Sequence, residues 1–452
     1  MEYTSFGAAE SYHRLVILTD MENEPDDSQT MVKLLMYSNE LDIEGLIAVS
    51  SRWLQDDNFP ESIYDRVKAY GVVRDNLMKH APGWPTEEEL LGKIAGGQRG
   101  FGMAAVGDGR NTAGSDLIIA AIDKEDSRPV HFAINAGANT LAQALWDIRR
   151  TRSPEELARF IAQIRVYDDS GQDDAGAWMC HTFPDLFYVR SRAQVFGLFG
   201  PTLDSGPQPW KPLDQFSWAE VNIRTRHGIL GALYPQRLWF NPPWNSAPFR
   251  DKPGYAFMDG GGTASWLGLI NKGLYDPAQI SWGGWGGRFS WQKEQVPAGQ
   301  HQVDEMEGPY QPFLMYPQAQ DLSWKWEAEG AADFAFTKFS GVSGTTEYTS
   351  DDFAPLWRWR EAYTNDFKAR MDWCVTEYGH ANHHPIVNFL GDENRTICTL
   401  VANPNETVEL DASSSRDPDG DQIDFRWYMY PEAGDYPKSI EISNSSSPVA
   451  TV

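Results

Sequence analysis

The sequence predicts an α/β fold with a mostly parallel, doubly wound sheet, followed by a small β-rich unit. Two observations predict the sheet. Short apolar runs such as residues 15–18 alternate with segments of helical periodicity, which is typical of successive βαβ units. The first predicted strand also ends in a loop crowded with carboxylates, and ligands of open α/β sheets bind at the carboxyl ends of strands.

The individual elements follow in order along the first 170 residues. After the strand at 15–18, apolar side chains at Met31, Leu34 and Leu35 predict a helix, and residues 43–49 predict a second strand. These three elements form one βαβ unit with a right-handed crossover. The same patterns predict helices at 115–122, 138–148 and 153–163, and strands at 129–134 and 164–167.

The second half of the chain gives weaker signals. Residues 200–360 are rich in Trp, Gly and Pro, which indicates long loops that carry aromatic side chains above the sheet. A helix is predicted at 356–375, and short strands at 401–410 and 424–430 indicate a β-sandwich. We therefore expect an α/β domain at 1–380 and a β-sandwich at 385–452 that is too short to be complete.

Composition and charge exclude several classes of function. Lys and Arg total 38 and Asp and Glu 64, so the net charge of −26 argues against binding to nucleic acid or anionic membranes. No apolar run is long enough to span a membrane. The N-terminus shows no signal peptide, so the protein is cytoplasmic unless such a peptide was removed before secretion. Three cysteines form no disulfide framework and are expected to be free thiols.

The loop after the first strand reads TDMENEPDD and holds five carboxylates within eight residues: Asp20, Glu22, Glu24, Asp26 and Asp27. Their mutual repulsion makes a purely structural role costly, and a hard divalent cation would offset it. Ca²⁺ is the favoured ion, with Mg²⁺ as the alternative. A simpler interpretation is an acidic loop in which Asp26 or Asp27 caps the following helix.

This loop resembles the N-terminal motif of the nucleoside hydrolases, D-x-D-x-G-x-D-D. It is more similar to the T-D-x-x-N-E-P-D-D pattern of a nucleoside-hydrolase-like domain family whose members carry a cellulose-binding name. The segments at 134–156, 165–178, 183–187 and 282–290 resemble the same family, and residues 411–436 resemble the immunoglobulin-like β-sandwich that follows its domain. The resemblance implies a nucleoside-hydrolase-like fold with Ca²⁺ at the base of a pocket.

The resemblance also implies roles for particular residues. Asp27 matches a metal ligand, Asn135 matches the segment that supplies a carbonyl ligand, and Asp26 would face sugar hydroxyls. Asp20 is favoured over Glu22 as a further ligand, and Asp259 is the candidate for the late one. The family usually has an acid two or three residues later than Asp259, where this chain has glycine.

A second acidic loop follows the strand at 164–167. Its residues Gln172 and Asp173 could bind sugar hydroxyls and Trp178 could stack on a ring, although Asp173 or Asp174 could equally cap a helix. The glycine-rich segment at 282–291 contributes Trp285 as a further candidate ring contact. The predicted substrate-binding residues are Asn23, Glu24, Asp26, Asn139, Gln172, Asp173, Trp178 and Trp285. The histidines at 380–384 are expected in a solvated linker.

The leading hypothesis is a Ca²⁺-dependent hydrolase of N-ribosyl or O-glycosyl bonds. In it Asp20 or Asp26 takes the proton of a water that attacks an oxocarbenium-like centre. Its ligand would be a small glycoside, a nucleoside or an oligosaccharide, and a homo-oligomer is compatible with the sequence. The alternatives are a carbohydrate-binding protein with a degenerate hydrolase site and a biosynthetic tailoring enzyme that uses the same pocket.

Overall fold

The protein is represented by a computed structural model that describes residues 12–22, 25–191, 193–198, 218–235, 260–274, 276–291, 319–325, 335–340 and 344–452. Its centre is an eight-stranded sheet. The strands are β1 (His13–Thr19), β2 (Leu41–Ala48), β3 (Ile94–Gly96), β4 (Val130–Ile134), β5 (Ile164–Asp169), β6 (Phe187–Ser191), β7 (Phe289–Ser290) and β8 (Ala319–Asp321). Within the described residues no helix has the length and hydropathy to cross a membrane.

The strand order in the sheet is β3-β2-β1-β4-β5-β6-β8-β7. All neighbouring pairs are parallel except β7 and β8. The chain builds outward from β1 to β3 and then returns to β4 on the other side of β1. The order therefore reverses between β1 and β4, and this is the point at which such sheets open a crevice for ligands.

Helices cover both faces of the sheet, as the sequence predicts for a doubly wound fold. They are α1 (Pro25–Leu35), α2 (Pro60–Leu77), α3 (Glu87–Leu91), α4 (Ala113–Asp123), α5 (Asn139–Thr151), α6 (Pro154–Ala162), α7 (Ala175–Thr182), α8 (Gly228–Ala232), α9 (Ala264–Leu267), α10 (Ser350–Trp357) and α11 (Arg360–Trp373). Along β1, Leu15 and Ile17 join one apolar core, and Val16 and Leu18 join the other. Burial on both faces explains why this strand reads as a continuous apolar run.

The predicted single helix at 356–375 is wrong, because α10 and α11 are separated by a turn. The Arg358 guanidinium lies 3.4 Å from the centroid of the Trp324 ring and pairs with Glu432 at 2.7 Å. These partners are distant in sequence, so helical periodicity cannot reveal the turn that they hold.

The C-terminal segment forms a small antiparallel sheet of two short strands, β11 (Glu409–Asp411) and β12 (Val449–Thr451). An earlier hairpin, β9 (Ala335–Ser340) and β10 (Gly344–Thr349), was not predicted. The predicted strand at 424–430 does not form, and only the end of the one at 401–410 does. Within residues 424–430, the main-chain N–H of Trp427 donates to the Ser445 carbonyl and its indole N–H to the Ser447 carbonyl, without a strand ladder.

In the segment that joins the two units, His380 and His384 are exposed, as predicted for a solvated linker, whereas His383 is an exception. The His383 imidazole is buried, and its Nδ1 lies 2.8 Å from a carboxylate oxygen of Asp419. Its Nε2 lies 2.9 Å from Nδ1 of His80, which follows α2. The three cysteines carry free thiols, as expected.

Candidate functional site

Three carboxylates meet at the carboxyl end of β1. Asp20 directly follows the strand, and Asp26 and Asp27 occupy the first turn of α1; all three are buried. The Thr19 hydroxyl donates a hydrogen bond to Asp27. Because β1 borders the point where the strand order reverses, the acidic loop lies at the expected ligand crevice.

Burial and mutual repulsion dominate the electrostatics of this group, which we call the switch-point carboxylates (Asp20, Asp26 and Asp27). Burial and then the nearby charge of Asp26 raise the pKa of Asp20 to about 7, although a hydrogen bond with Ser51 opposes the shift. Burial, followed by the charges of Asp20 and Asp26, raises the pKa of Asp27 well above its ordinary value. A bound cation would relieve this repulsion.

The Glu22 carboxylate contacts helix α2 and not the switch-point carboxylates. Its carboxylate accepts a hydrogen bond from the Ser62 hydroxyl and lies 3.6 Å from Nη2 of Arg66, and both partners belong to α2. This engagement favours Asp20 over Glu22 as the acid that serves the switch point.

Asn135 directly follows β4, the strand that neighbours β1, and it lies next to the switch-point carboxylates. Its main-chain N–H donates to the carbonyl of Leu18 at 2.8 Å. Its carbonyl accepts from Nε2 of Gln172 at 2.8 Å, and its Oδ1 accepts from the Ser265 hydroxyl at 2.8 Å. The buried Nδ2 has no hydrogen-bond partner among the described residues. The structure thus brings the predicted residues Asn135 and Gln172 together beside the carboxylates.

A glycine-rich segment closes over the same point. A Cβ at Gly260 would lie 2.0 Å from the carbonyl oxygen of Asp26, and one at Gly262 would lie 2.3 Å from Nδ2 of Asn135. Glycine is required at both positions, because the main chain approaches too closely for any side chain. An acid at position 262, one of the two positions where the resemblance leads us to expect one, would therefore clash with Asn135. Three predicted site residues lie outside the described residues: Asn23, Glu24 and Asp259.

Asp173 and Asn139, both predicted to bind substrate, are engaged with the protein itself. Asp173 accepts hydrogen bonds from the main-chain N–H of Ala175 at 2.9 Å and of Asn139 at 3.1 Å, so it caps α7 and α5 together. Nδ2 of Asn139 donates to the carbonyl of Gly100 at 2.8 Å. Burial and then the charge of Asp174 raise the pKa of Asp173 to about 8. These contacts favour the helix-capping interpretation.

Replacing Asp173 with alanine should lower the free energy of unfolding by about 2 kcal/mol, because two helices lose a cap at once. Urea unfolding followed by circular dichroism measures this change. The matched control is Asp185→Ala, an exposed aspartate beyond α7, which should cost less than about 0.5 kcal/mol. Equal stabilities of the two variants would contradict the capping role.

The two predicted tryptophans lie away from the switch point. Trp178 packs in the helix layer, with its ring centroid 5.9 Å from that of Trp146 and 5.7 Å from that of Phe183. Trp285 is buried 6.2 Å from the ring of Tyr363, which lies under Lys33 in the last turn of α1. It therefore sits at the opposite end of α1 from Asp26 and Asp27.

The chemistry of the donors suits a hard cation. Buried carboxylates and a carbonyl with a second lone pair are ligands that Ca²⁺ accepts. The raised pKa values of Asp20 and Asp27 reflect burial first and repulsion between the carboxylates second. Among the described residues, however, no group of three or more His, Cys, Asp or Glu side chains is arranged to hold a metal ion. A complete coordination shell would therefore need main-chain oxygens and the late acid Asp259.

A doubly wound sheet with buried carboxylates at its switch point defines a nucleoside-hydrolase-like α/β protein. Residues 14–289 match the family model "Cellulose-binding Sde182, nucleoside hydrolase-like domain", and the chain belongs to this family. Residues 407–452 match the model "Cellulose-binding protein Sde0182, C-terminal domain".

One solved structure gives a detailed comparison. It is a nucleoside hydrolase-related hypothetical protein from Saccharophagus degradans that is associated with carbohydrate metabolism. The two chains are 36% identical, with a TM-score of 0.74, and the match covers 98% of this chain and 91% of that one. No curated protein matches the chain.

Proposed function

We propose that the switch-point carboxylates hydrolyse a glycosidic bond, either N-ribosyl or O-glycosyl. The observation that carries this proposal is the burial of Asp20, Asp26 and Asp27 together at the point where the strand order reverses. Concentrated negative charge stabilises an oxocarbenium-like transition state, in which positive charge develops on the sugar.

The roles of the residues follow from their positions. Asp20 or Asp26 takes the proton of the attacking water. Because its pKa is raised to about 7, an ionised Asp20 is a stronger base than an ordinary aspartate. The remaining carboxylate accepts hydrogen bonds from sugar hydroxyls. Ca²⁺ would be held by Asp20, Asp27, the Asn135 carbonyl and Asp259, and when bound it supplies positive charge that acidifies a water.

A ligand-stability measurement tests the cation directly. Millimolar Ca²⁺ should raise the melting temperature of the protein in a saturable manner, because binding to the folded state alone stabilises it. Asp27→Asn should lose this shift in melting temperature. Asp56 is an exposed aspartate in the loop after β2, and Asp56→Asn should keep the shift. A wild-type melting temperature that is the same in Ca²⁺ and in EDTA would count against the metal.

The hydrolysis itself is tested by product release. The wild-type protein is incubated with a panel of purine and pyrimidine nucleosides and with aryl glycosides, and ribose, free base or aryl alcohol is measured. Release from any member supports the enzyme. No release from the whole panel in the presence of Ca²⁺ would contradict it.

A carbohydrate-binding protein with a degenerate site is the second candidate. The observation that favours it is the close packing of Gly262 on Asn135, which leaves no room for an acidic ligand at that position. The cellulose-binding name of the family points the same way. Saccharide binding in calorimetry without any turnover supports this candidate over the enzyme.

A further inference from the structure

A cavity of 730 Å³ lies at the junction of the α/β domain and the segment that leads to the C-terminal unit. Its volume falls in the range of sites for small ligands. Residues from α11, from the segment at 272–285 and from the joining segment at 382–398 line it. Those that carry the argument are Lys272, Trp285, Asn365, Asp366, His384 and Phe389.

This junction cavity is separate from the switch-point carboxylates. Lys33, in the last turn of α1, lies 5.0 Å from the Tyr363 ring, and that ring packs against Trp285 in the cavity wall. The switch-point carboxylates lie at the first turn of the same helix. The two sites are therefore at opposite ends of α1.

Three polar side chains of the cavity, Lys272, Asn365 and His384, make no hydrogen bond or ion pair with the described residues. Two of them, Asn365 and His384, are exposed to solvent. The Lys272 ammonium lies 5.1 Å from the centroid of the Trp285 ring. The His384 side chain is more than a third exposed; partial desolvation, and then the charges of Lys272 and Arg370, lower its pKa below the ordinary value, which favours the neutral imidazole at physiological pH. A neutral imidazole both donates and accepts hydrogen bonds.

Part of the cavity wall is apolar. Phe389 and Ile386 line the cavity with partly exposed apolar surface, and the Trp285 ring, which is 9% exposed, adds a small aromatic area. A ligand that fits must have one apolar face and several groups that hydrogen-bond with an amide, an imidazole and an ammonium. Asp366 is already paired with Arg370 at 3.0 Å and adds a fixed acceptor at the edge. A sugar ring has this combination of C–H face and hydroxyl rim.

We propose that the junction cavity binds a neutral saccharide of one or two rings, with Lys272, Asn365 and His384 contacting its hydroxyls and Trp285 and Phe389 its apolar face. The class of ligand rests on the second candidate function above, whereas the location does not depend on it. The site is therefore distinct from the switch point and does not require hydrolysis there.

Isothermal titration calorimetry with cellobiose and glucose tests the proposal on the full chain. The double variant Lys272→Met, Asn365→Ala removes two polar contacts while the lysine position keeps its aliphatic stem, and it should weaken cellobiose binding roughly 10- to 100-fold. Lys368→Met is the matched control, because Lys368 pairs with Asp372 outside the cavity, and it should bind as the wild type does. Unchanged melting temperatures verify folding of both variants.

The outcomes separate this proposal from the hydrolase. Asp27→Asn should leave cellobiose affinity unchanged even if it abolishes hydrolysis. Loss of cellobiose binding in Asp27→Asn would place the sugar at the switch point and overturn the junction site. Wild-type affinity in the double variant, or no binding by the wild type at millimolar cellobiose or glucose, would overturn it as well, whatever the nucleoside assays give.

Discussion

Asp27→Asn should reduce the rate of glycosidic hydrolysis by roughly 100-fold or more, which is the effect of removing one preorganised group that stabilises transition-state charge. The substitution keeps the shape of the side chain and the acceptor for the Thr19 hydroxyl. It removes one negative charge from a buried group of three carboxylates, and with it much of the stabilisation of a positively charged transition state. Initial rates on the best substrate of the panel measure the effect.

The stability of Asp27→Asn should rise while its activity falls. Burial and the neighbouring carboxylates raise the pKa of Asp27, so ionisation opposes folding as the pH rises above the ordinary range of a carboxyl group. A neutral amide relieves that repulsion. A variant that is less active and more stable than the wild type identifies a functional residue, whereas a loss of both would indicate a merely structural acid.

The matched control is Asp56→Asn, which removes the same charge from an exposed position in the loop after β2. Its hydrolysis rate should stay within about twofold of the wild type, since exposed charges are screened by solvent. An Asp27→Asn rate equal to that of the control would contradict a role for the switch-point carboxylates in hydrolysis.

Much of the sheet could be predicted because its information is local. The apolar run of β1, the acidic loop and the helical period of α1 lie within 25 residues, and the observed elements match them. The turn between α10 and α11 could not be predicted, since Trp324 and Glu432, distant in sequence, hold Arg358 there. The hairpin of β9 and β10 lies within residues 200–360, for which the overall Trp, Gly and Pro content predicts long loops, so this local pair of strands is not predicted.

The candidate site divides in the same way. Asp20, Asp26 and Asp27 lie within eight residues of one another, so the sequence alone identifies them as a cluster. Asn135 was identified as a site residue only through the resemblance to a family. The hydrogen bond between Asp20 and Ser51 and the close approach of Gly262 depend on tertiary packing. No sequence signal distinguishes a capping aspartate from a substrate-binding one at the start of a helix, and for Asp173 only the contacts with α5 and α7 favour the cap.

Arg370→Met should lower the free energy of unfolding at pH 7 by about 3–5 kcal/mol, because it leaves buried carboxylates without their cation. The Arg370 guanidinium is buried, pairs with Glu40 and lies 3.0 Å from Asp366. It also donates to the carbonyl of Met36 at 2.9 Å and to Oδ1 of Asn39 at 3.0 Å. Methionine fills a similar volume, so the loss reflects charge and hydrogen bonds more than packing.

The pH dependence of the effect separates the ion pair from a packing defect. Burial alone would raise the pKa of Glu40, but the charges of Arg370, Lys272 and Arg395 outweigh it and lower the pKa to about 2. A carboxylate with a lowered pKa stabilises the fold above its ordinary pKa of 4.5, and this contribution is lost as the pH falls toward 2. The difference between wild type and Arg370→Met should therefore shrink between pH 5 and roughly pH 3.

Arg416→Met provides the comparison for this variant. Arg416 pairs with Glu393 at the surface, and loss of such an exposed pair costs less than about 1 kcal/mol. Urea unfolding of the wild type, Arg370→Met and Arg416→Met at pH 7 and at roughly pH 3 gives the loss of unfolding free energy for each variant at both pH values. We infer that the buried charges around Arg370 hold the joining segment against the α/β domain, because Glu40 pairs with Arg395 of that segment. A loss of unfolding free energy in Arg370→Met that is as small as in Arg416→Met, or that stays constant with pH, would contradict this inference.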